Sequence, residues 1–184
     1  MSFSKASSFK SNRQAMDEVV IRHASVADAS AIAEVIRRAF AAYEGSLQPP
    51  AGALKETPES IAEKLRREAA LVAVTPAGIG GCVFYRPAEA AGEIYLGRLA
   101  VLPEHQGESI GARLMAALEE AARAAGARAL ILNVRIALPG NRAFFERLGF
   151  RAVGEGRHPG FDQPTFTVMR KALSGAAPNA MRSR

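Results

Sequence analysis

From residue 19 to residue 169, short apolar runs of strand length alternate with segments whose apolar residues recur at helical spacing. This alternation constrains the fold most strongly, because an amphipathic helix following a strand buries its apolar stripe against a sheet. Strand signals fall at 19–22, 71–74, 81–85, 93–102, 130–134, 150–153 and 165–169. Ser25, with Asp28 three residues on, opens a helix carrying Ile32, Val35, Ile36, Ala39 and Phe40. Thr57-Pro58-Glu59, a capping residue before proline at the first helical position, opens a second helix running to residue 68. A third spans 109–125, with Ile110, Leu114 and Leu118 on one face and Gly126 as its stop. A fourth spans 140–148 and closes at Gly149. Residues 75–80 read as a hairpin connection, and 45–53 as a Pro/Gly loop. The apolar run 130–134 is expected to be buried on both faces. This order of elements is α/β or α+β around a mixed sheet.

The chain has 184 residues, the length of one domain, and its 48% apolar and 23% charged content is that of an ordinary globular protein. It holds no apolar run of about 18 residues, so no membrane span is expected. Residues 1–15 lack the apolar stretch of a secretory signal. A single cysteine, Cys82, excludes an internal disulfide and a Cys-based zinc site, and fits a reducing cytoplasm. His23, His105 and His158 show no metal-ligand spacing, so no metal is expected.

A net charge of +6 raises nucleic acid as a partner. However, Lys5, Lys10 and Arg13 lie in 1–16, and Arg182 and Arg184 lie in 174–184. The intervening stretch is nearly neutral, which argues against nucleic-acid binding. The expected organisation is a basic tail at 1–16, a domain at 17–173 and a second tail at 174–184, with Met16 a candidate alternative start.

The most informative segment is Leu99-Ala-Val-Leu-Pro-Glu-His-Gln-Gly-Glu-Ser-Ile-Gly-Ala-Arg-Leu-Met115. A strand ends, a turn follows, and a helix begins near Ser109. The amides of 107–111 are expected to converge unpaired at the positive end of the helix dipole, an arrangement that binds phosphates. Gly107 and Gly111 would let a diphosphate approach the main chain.

Gln106-Gly107-Glu108-Ser109-Ile110-Gly111 resembles the acetyl-CoA-binding motif of the GNAT superfamily of N-acetyltransferases, Gln/Arg-x-x-Gly-x-Gly/Ala. Ser109 stands where the family usually has glycine, and costs stability if the position needs a positive φ. Downstream, Asn141-Arg-Ala-Phe-Phe-Glu-Arg-Leu-Gly-Phe150 resembles a second family segment, in a matching element order. The resemblance covers about residues 19–173. It implies a mixed central sheet of about six or seven strands with helices on both faces and splayed strands that bind acetyl-CoA.

The resemblance also implies direct transfer of an acetyl group from acetyl-CoA to a primary amine, carried by a small molecule or a protein. Backbone amides of Leu99, Ala100 and Val101 would hold pantetheine and polarise the thioester carbonyl. Gly97 suggests a bulge nearby. Arg113, Asn141 and Phe145 join residues 106–111 as candidate CoA contacts. Glu93, where some family members carry a glutamate base, and Tyr95 are the candidate catalytic residues. Phe145 falls where many members have a tyrosine that protonates the leaving thiolate. Residues 160–165, the turn entering the last strand, are expected to help shape the acceptor site. A homodimer is left open.

Two rival readings are weighed. Gly107-Glu108-Ser109-Ile110-Gly111 is also Gly-x-Ser-x-Gly, the nucleophile elbow of α/β-hydrolases. Only His158, with Glu146 or Glu155 before it, could complete a triad, in too short a stretch of chain for the usual intervening elements. A non-catalytic acyl-CoA sensor on the same fold is the other alternative, suggested by Ser109 and Phe145.

Overall fold

The computed structural model describes residues 19–173, and the two expected tails lie outside the described residues. The strands are β1 (Val20–His23), β2 (Ala69–Thr75), β3 (Gly78–Pro87), β4 (Glu93–Val101), β5 (Ala129–Arg135), β6 (Arg151–Gly156) and β7 (Phe166–Ala172). The α-helices are α1 (Ala29–Phe40), α2 (Pro58–Leu65), α3 (Ile110–Ala124) and α4 (Pro139–Arg147). The sheet runs in the order β1-β2-β3-β4-β5-β7-β6. Pairs β1/β2, β2/β3, β5/β7 and β6/β7 are antiparallel and β4/β5 is parallel, giving the mixed sheet expected. Among the described residues, no helix is long and apolar enough to cross a membrane.

The described residues divide into two compact units: 19–85 with Gly97–Ala117, and Arg86–Leu96 with 118–173. β4 contributes its second half to the first unit and its first half to the second.

In the first unit, Ile32, Val35 and Ile36 of α1 and Ile61 of α2 close over Ala70, Val72, Cys82, Phe84 and Ala100. Side chains alternate across a sheet, so Gly81 faces the opposite side from Cys82. There α3 comes close: a β-carbon on Gly81 would lie 3.1 Å from Ile110 and 3.2 Å from Leu114. Helices therefore cover both faces of the sheet. The predicted cap of α2 forms, with the Ser60 N–H donating to Thr57 Oγ1 at 3.2 Å. The helix ends at Leu65, short of residue 68, as the chain turns at 66–67.

The hairpin joining β2 to β3 is tighter than residues 75–80 suggest. Thr75 pairs with Gly78, leaving a turn of Pro76 and Ala77. The Thr75 hydroxyl takes the Ala77 N–H at 3.2 Å and donates to the Gly78 carbonyl at 3.0 Å.

In the second unit, Leu130, Leu132 and Val134 of β5 are buried with Phe145, Phe150 and Met169. The expected two-sided burial of β5 fails at Asn133, which is exposed. Gly149, at φ +89°, ends α4 as expected. β6 and β7 run beyond their apolar runs; β6 is exposed along nearly its whole length and pairs without an apolar pattern.

Candidate functional site

In the first unit, β4 ends at Val101 and a 3-10 turn, Pro103–His105, leads to a turn that closes on α3. Gly107 and Ser109 both take left-handed backbone, at φ +86° and +60°. The first helical bond runs from the Arg113 N–H to the Ser109 carbonyl at 2.9 Å. The N–H groups of Ile110 to Ala112 have no carbonyl one turn back and so project from the positive end of the helix. One expectation is corrected: the Glu108 N–H is not unpaired but donates to the His105 carbonyl at 3.3 Å.

The loop is pinned by its own side chains. His105 Nδ1 lies 2.8 Å from Glu108 Oε2, drawing the carboxylate back along the turn. The imidazole packs over Gly80 of β3, where a β-carbon would stand only 2.9 Å from His105 Cδ2. Gln106 Nε2 donates to the Val101 carbonyl at 3.4 Å. Arg113, expected to reach phosphates, donates to the Val19 carbonyl at 2.5 Å.

Upstream on β4, Ala100 is buried, and Leu99 and Val101 are half-buried. The backbone irregularity expected near Gly97 falls at Arg98, which sits at φ +53°. Arg98 Nε donates to Glu56 Oε1 at 3.0 Å. The Glu56 carboxylate also takes the Ser60 hydroxyl at 2.7 Å and the Lys64 ammonium. Burial alone would raise its pKa. The Lys64, Ser60 and Arg98 donors outweigh that and hold it below the usual carboxylate range. Sequence reasoning missed this cluster: Glu56, Ser60 and Lys64 are spaced four residues apart, but Arg98 joins them from 42 positions away.

The candidate catalytic residues lie in the second unit, at the start of β4. Glu93 Oε1 accepts from Arg170 Nε of β7 at 2.8 Å. The Arg86 guanidinium stacks 4.8 Å from the centre of the Tyr95 ring. The parallel ladder to β5 spans Glu93–Tyr95 against Ala129–Ile131. Asn141 is half-buried in the first turn of α4, and its N–H donates to the Leu138 carbonyl at 3.1 Å. Phe145 is buried edge-on against Phe144 and Phe150, at ring distances of 5.1 and 5.6 Å.

His158, the one histidine available to a hydrolase triad, has both ring nitrogens engaged, one by Arg135 of β5 and one by Thr165 of its own hairpin. Arg135 lies 3.3 Å from Nε2, and a guanidinium only donates, so Nε2 is the acceptor. Nδ1 then carries the proton and donates to Thr165 Oγ1 at 2.6 Å. Burial and the Arg135 charge both push the imidazole pKa below its ordinary value.

The model of the acetyltransferase (GNAT) family matches residues 35–150. PaiA N-acetyltransferase from Thermoplasma acidophilum, solved in complex with coenzyme A, has a TM-score of 0.70 at 21% identity, over 84% of this chain and 98% of that one. The ribosomal-protein-S18-alanine N-acetyltransferase from Escherichia coli has a TM-score of 0.67 at 20% identity, over 88% of this chain and 97% of that one. An acetyltransferase of the GNAT family from Streptococcus pneumoniae has a TM-score of 0.67 at 19% identity, over 85% and 99%. At these identities the likeness is one of fold. Among curated proteins, none matches the chain by sequence.

Proposed function

Because this chain belongs to the GNAT family of acetyltransferases, we propose that it transfers an acetyl group from acetyl-CoA to a primary amine by direct attack in a ternary complex. The observation that carries this is the turn at 106–111. Gly107 and Ser109 in left-handed backbone bring the chain onto the first N–H groups of a 15-residue helix. That end of the helix suits a diphosphate, and the His105 contact keeps the Glu108 carboxylate turned back along the loop. Arg113, on the first turn of the same helix, is proposed to add a contact to the CoA phosphates.

In the reaction, the amine nitrogen forms a bond to the thioester carbon and the carbon–sulfur bond breaks. The amides of Leu99, Ala100 and Val101 stabilise the charge developing on the carbonyl oxygen. Glu93, oriented by Arg170, takes the ammonium proton directly or through water, and Tyr95 lines the approach of the amine. Phe145 supplies no hydroxyl, so CoA leaves as a thiolate and takes its proton from solvent. A thiol pKa of about 8.5 makes it a serviceable leaving group.

A second reading, a sensor that binds acyl-CoA without turnover, is favoured by the buried Phe145 and by the engagement of Glu93 with Arg170. Acetyl-CoA at about a hundred times its Kd should stabilise the protein by about 2.7 kcal/mol under either reading. In a chain of this size that raises Tm by roughly 5–10 °C. No shift at millimolar acetyl-CoA refutes both. CoA release over a panel of primary amines supports the enzyme, and binding without release supports the sensor.

A further inference from the structure

We infer that Glu56 is a positioning residue for acyl transfer: through Arg98 it holds the left-handed turn of β4 that precedes the amides of Leu99, Ala100 and Val101, a role resting on the acetyl-CoA reading of that strand. Arg98 and Ser109 are the non-glycine residues with positive φ among the described residues, and Arg98 lies inside a strand. Such backbone persists in a residue with a β-carbon only where its surroundings over-determine it.

The surroundings of Arg98 do so from three sides. Its Nε donates to Glu56 at 3.0 Å, and its carbonyl accepts from Cys82 Sγ at 3.7 Å. Its guanidinium lies under Gly52, where a β-carbon would stand 3.4 Å from Nη2.

The pair orders Arg98 more than it neutralises Glu56. The Glu56 side chain is 4% exposed and already holds Lys64 and the Ser60 hydroxyl, whose residue is fixed by the Thr57 cap. The Arg98 side chain is 35% exposed and could turn to water, yet it is drawn back to a carboxylate 42 positions earlier in the chain. What the contact fixes is the direction in which β4 leaves residue 98. The acyl carbonyl would meet the amides that follow, whereas CoA lacking the acetyl group would not engage them in the same way.

The test compares acetyl-CoA with CoA by calorimetry, alongside the ¹³C resonance of carbonyl-labelled acetyl-CoA bound to the full chain. Wild type should prefer acetyl-CoA and shift the carbonyl resonance downfield. Glu56→Gln and, independently, Arg98→Gln should each reduce the preference by about three- to tenfold, the weight of one hydrogen bond. CoA affinity should fall by less than acetyl-CoA affinity, because CoA brings the pantetheine arm but no acyl carbonyl to those amides, and the resonance should move back toward its free position. In the Glu56→Gln background, Arg98→Gly should restore preference and resonance, since glycine adopts positive φ without the tether. Wild-type behaviour in folded Glu56→Gln or Arg98→Gln, or no restoration by glycine, overturns the role of Glu56. Wild type that binds neither ligand overturns the acetyl-CoA reading as well. Wild type that binds both with an unshifted carbonyl overturns this inference alone.

Discussion

Replacing Ser109 by glycine isolates the cost of the left-handed backbone in the turn before α3. Ser109 is exposed and sits at φ +60°, so its β-carbon bears the left-handed penalty of about 1–2 kcal/mol. Glycine removes that penalty but loses about 0.5–1 kcal/mol through the greater freedom of its unfolded chain. The expected net effect of Ser109→Gly is a gain of about 0.5–1 kcal/mol, or roughly 1–4 °C in Tm for a chain of this length. Ser109→Ala keeps the β-carbon and should show no gain. Thermal melts of the ligand-free variants measure the first quantity. Calorimetry with acetyl-CoA measures the second: affinity should stay within about twofold of wild type, because the N–H rather than the hydroxyl is assigned to the diphosphate. A Ser109→Gly protein that melts at or below wild type refutes the strain argument. A tenfold loss of affinity refutes the assignment of the amide.

Gly81→Ala should lower Tm, because its new β-carbon would meet the Ala100 carbonyl oxygen at 3.0 Å as well as Ile110 and Leu114. Forcing a methyl into that contact costs about 1–3 kcal/mol; an unchanged melt contradicts the close approach of α3. His158 should titrate below about 6.5 by NMR and show the Nδ1–H tautomer. Because the folded state resists its protonation, stability should fall as pH drops below about 6.5. A midpoint at or above that value contradicts the Arg135 contact.

Much of this molecule is legible because its elements announce themselves locally. The strand ending near residue 102, the glycine at 107 and the periodicity from Ile110 place the strand–turn–helix unit within a residue or two of where it stands. Thr57-Pro58 likewise marks a cap that forms. What the residues do not announce are contacts between distant positions. Glu56 with Arg98, and Glu93 with Arg170, join residues 42 and 77 positions apart. Charged residues at such spacings look like any solvated surface. Local rules can also point slightly wide of the mark: Gly97 marks the irregular part of β4, yet the left-handed conformation is taken by Arg98, whose side chain has a tether that glycine lacks. Strand ends are similarly veiled, since the exposed Glu155 of β6, beyond the expected end at 153, pairs with Thr167 without an apolar signature.

Cys82 is fully buried among the side chains under α1, and burial pushes its thiol pKa up to about 12. Thiol exchange proceeds through the thiolate, so this sulfur is withdrawn from that chemistry in the folded protein. A protein that handles a thioester and releases a free thiol meets two hazards at its own cysteine: acylation by the substrate and mixed-disulfide formation with the product. Here the one cysteine sulfur able to capture either partner is sealed in the core, so the folded chain offers no thiolate to either end of the proposed reaction.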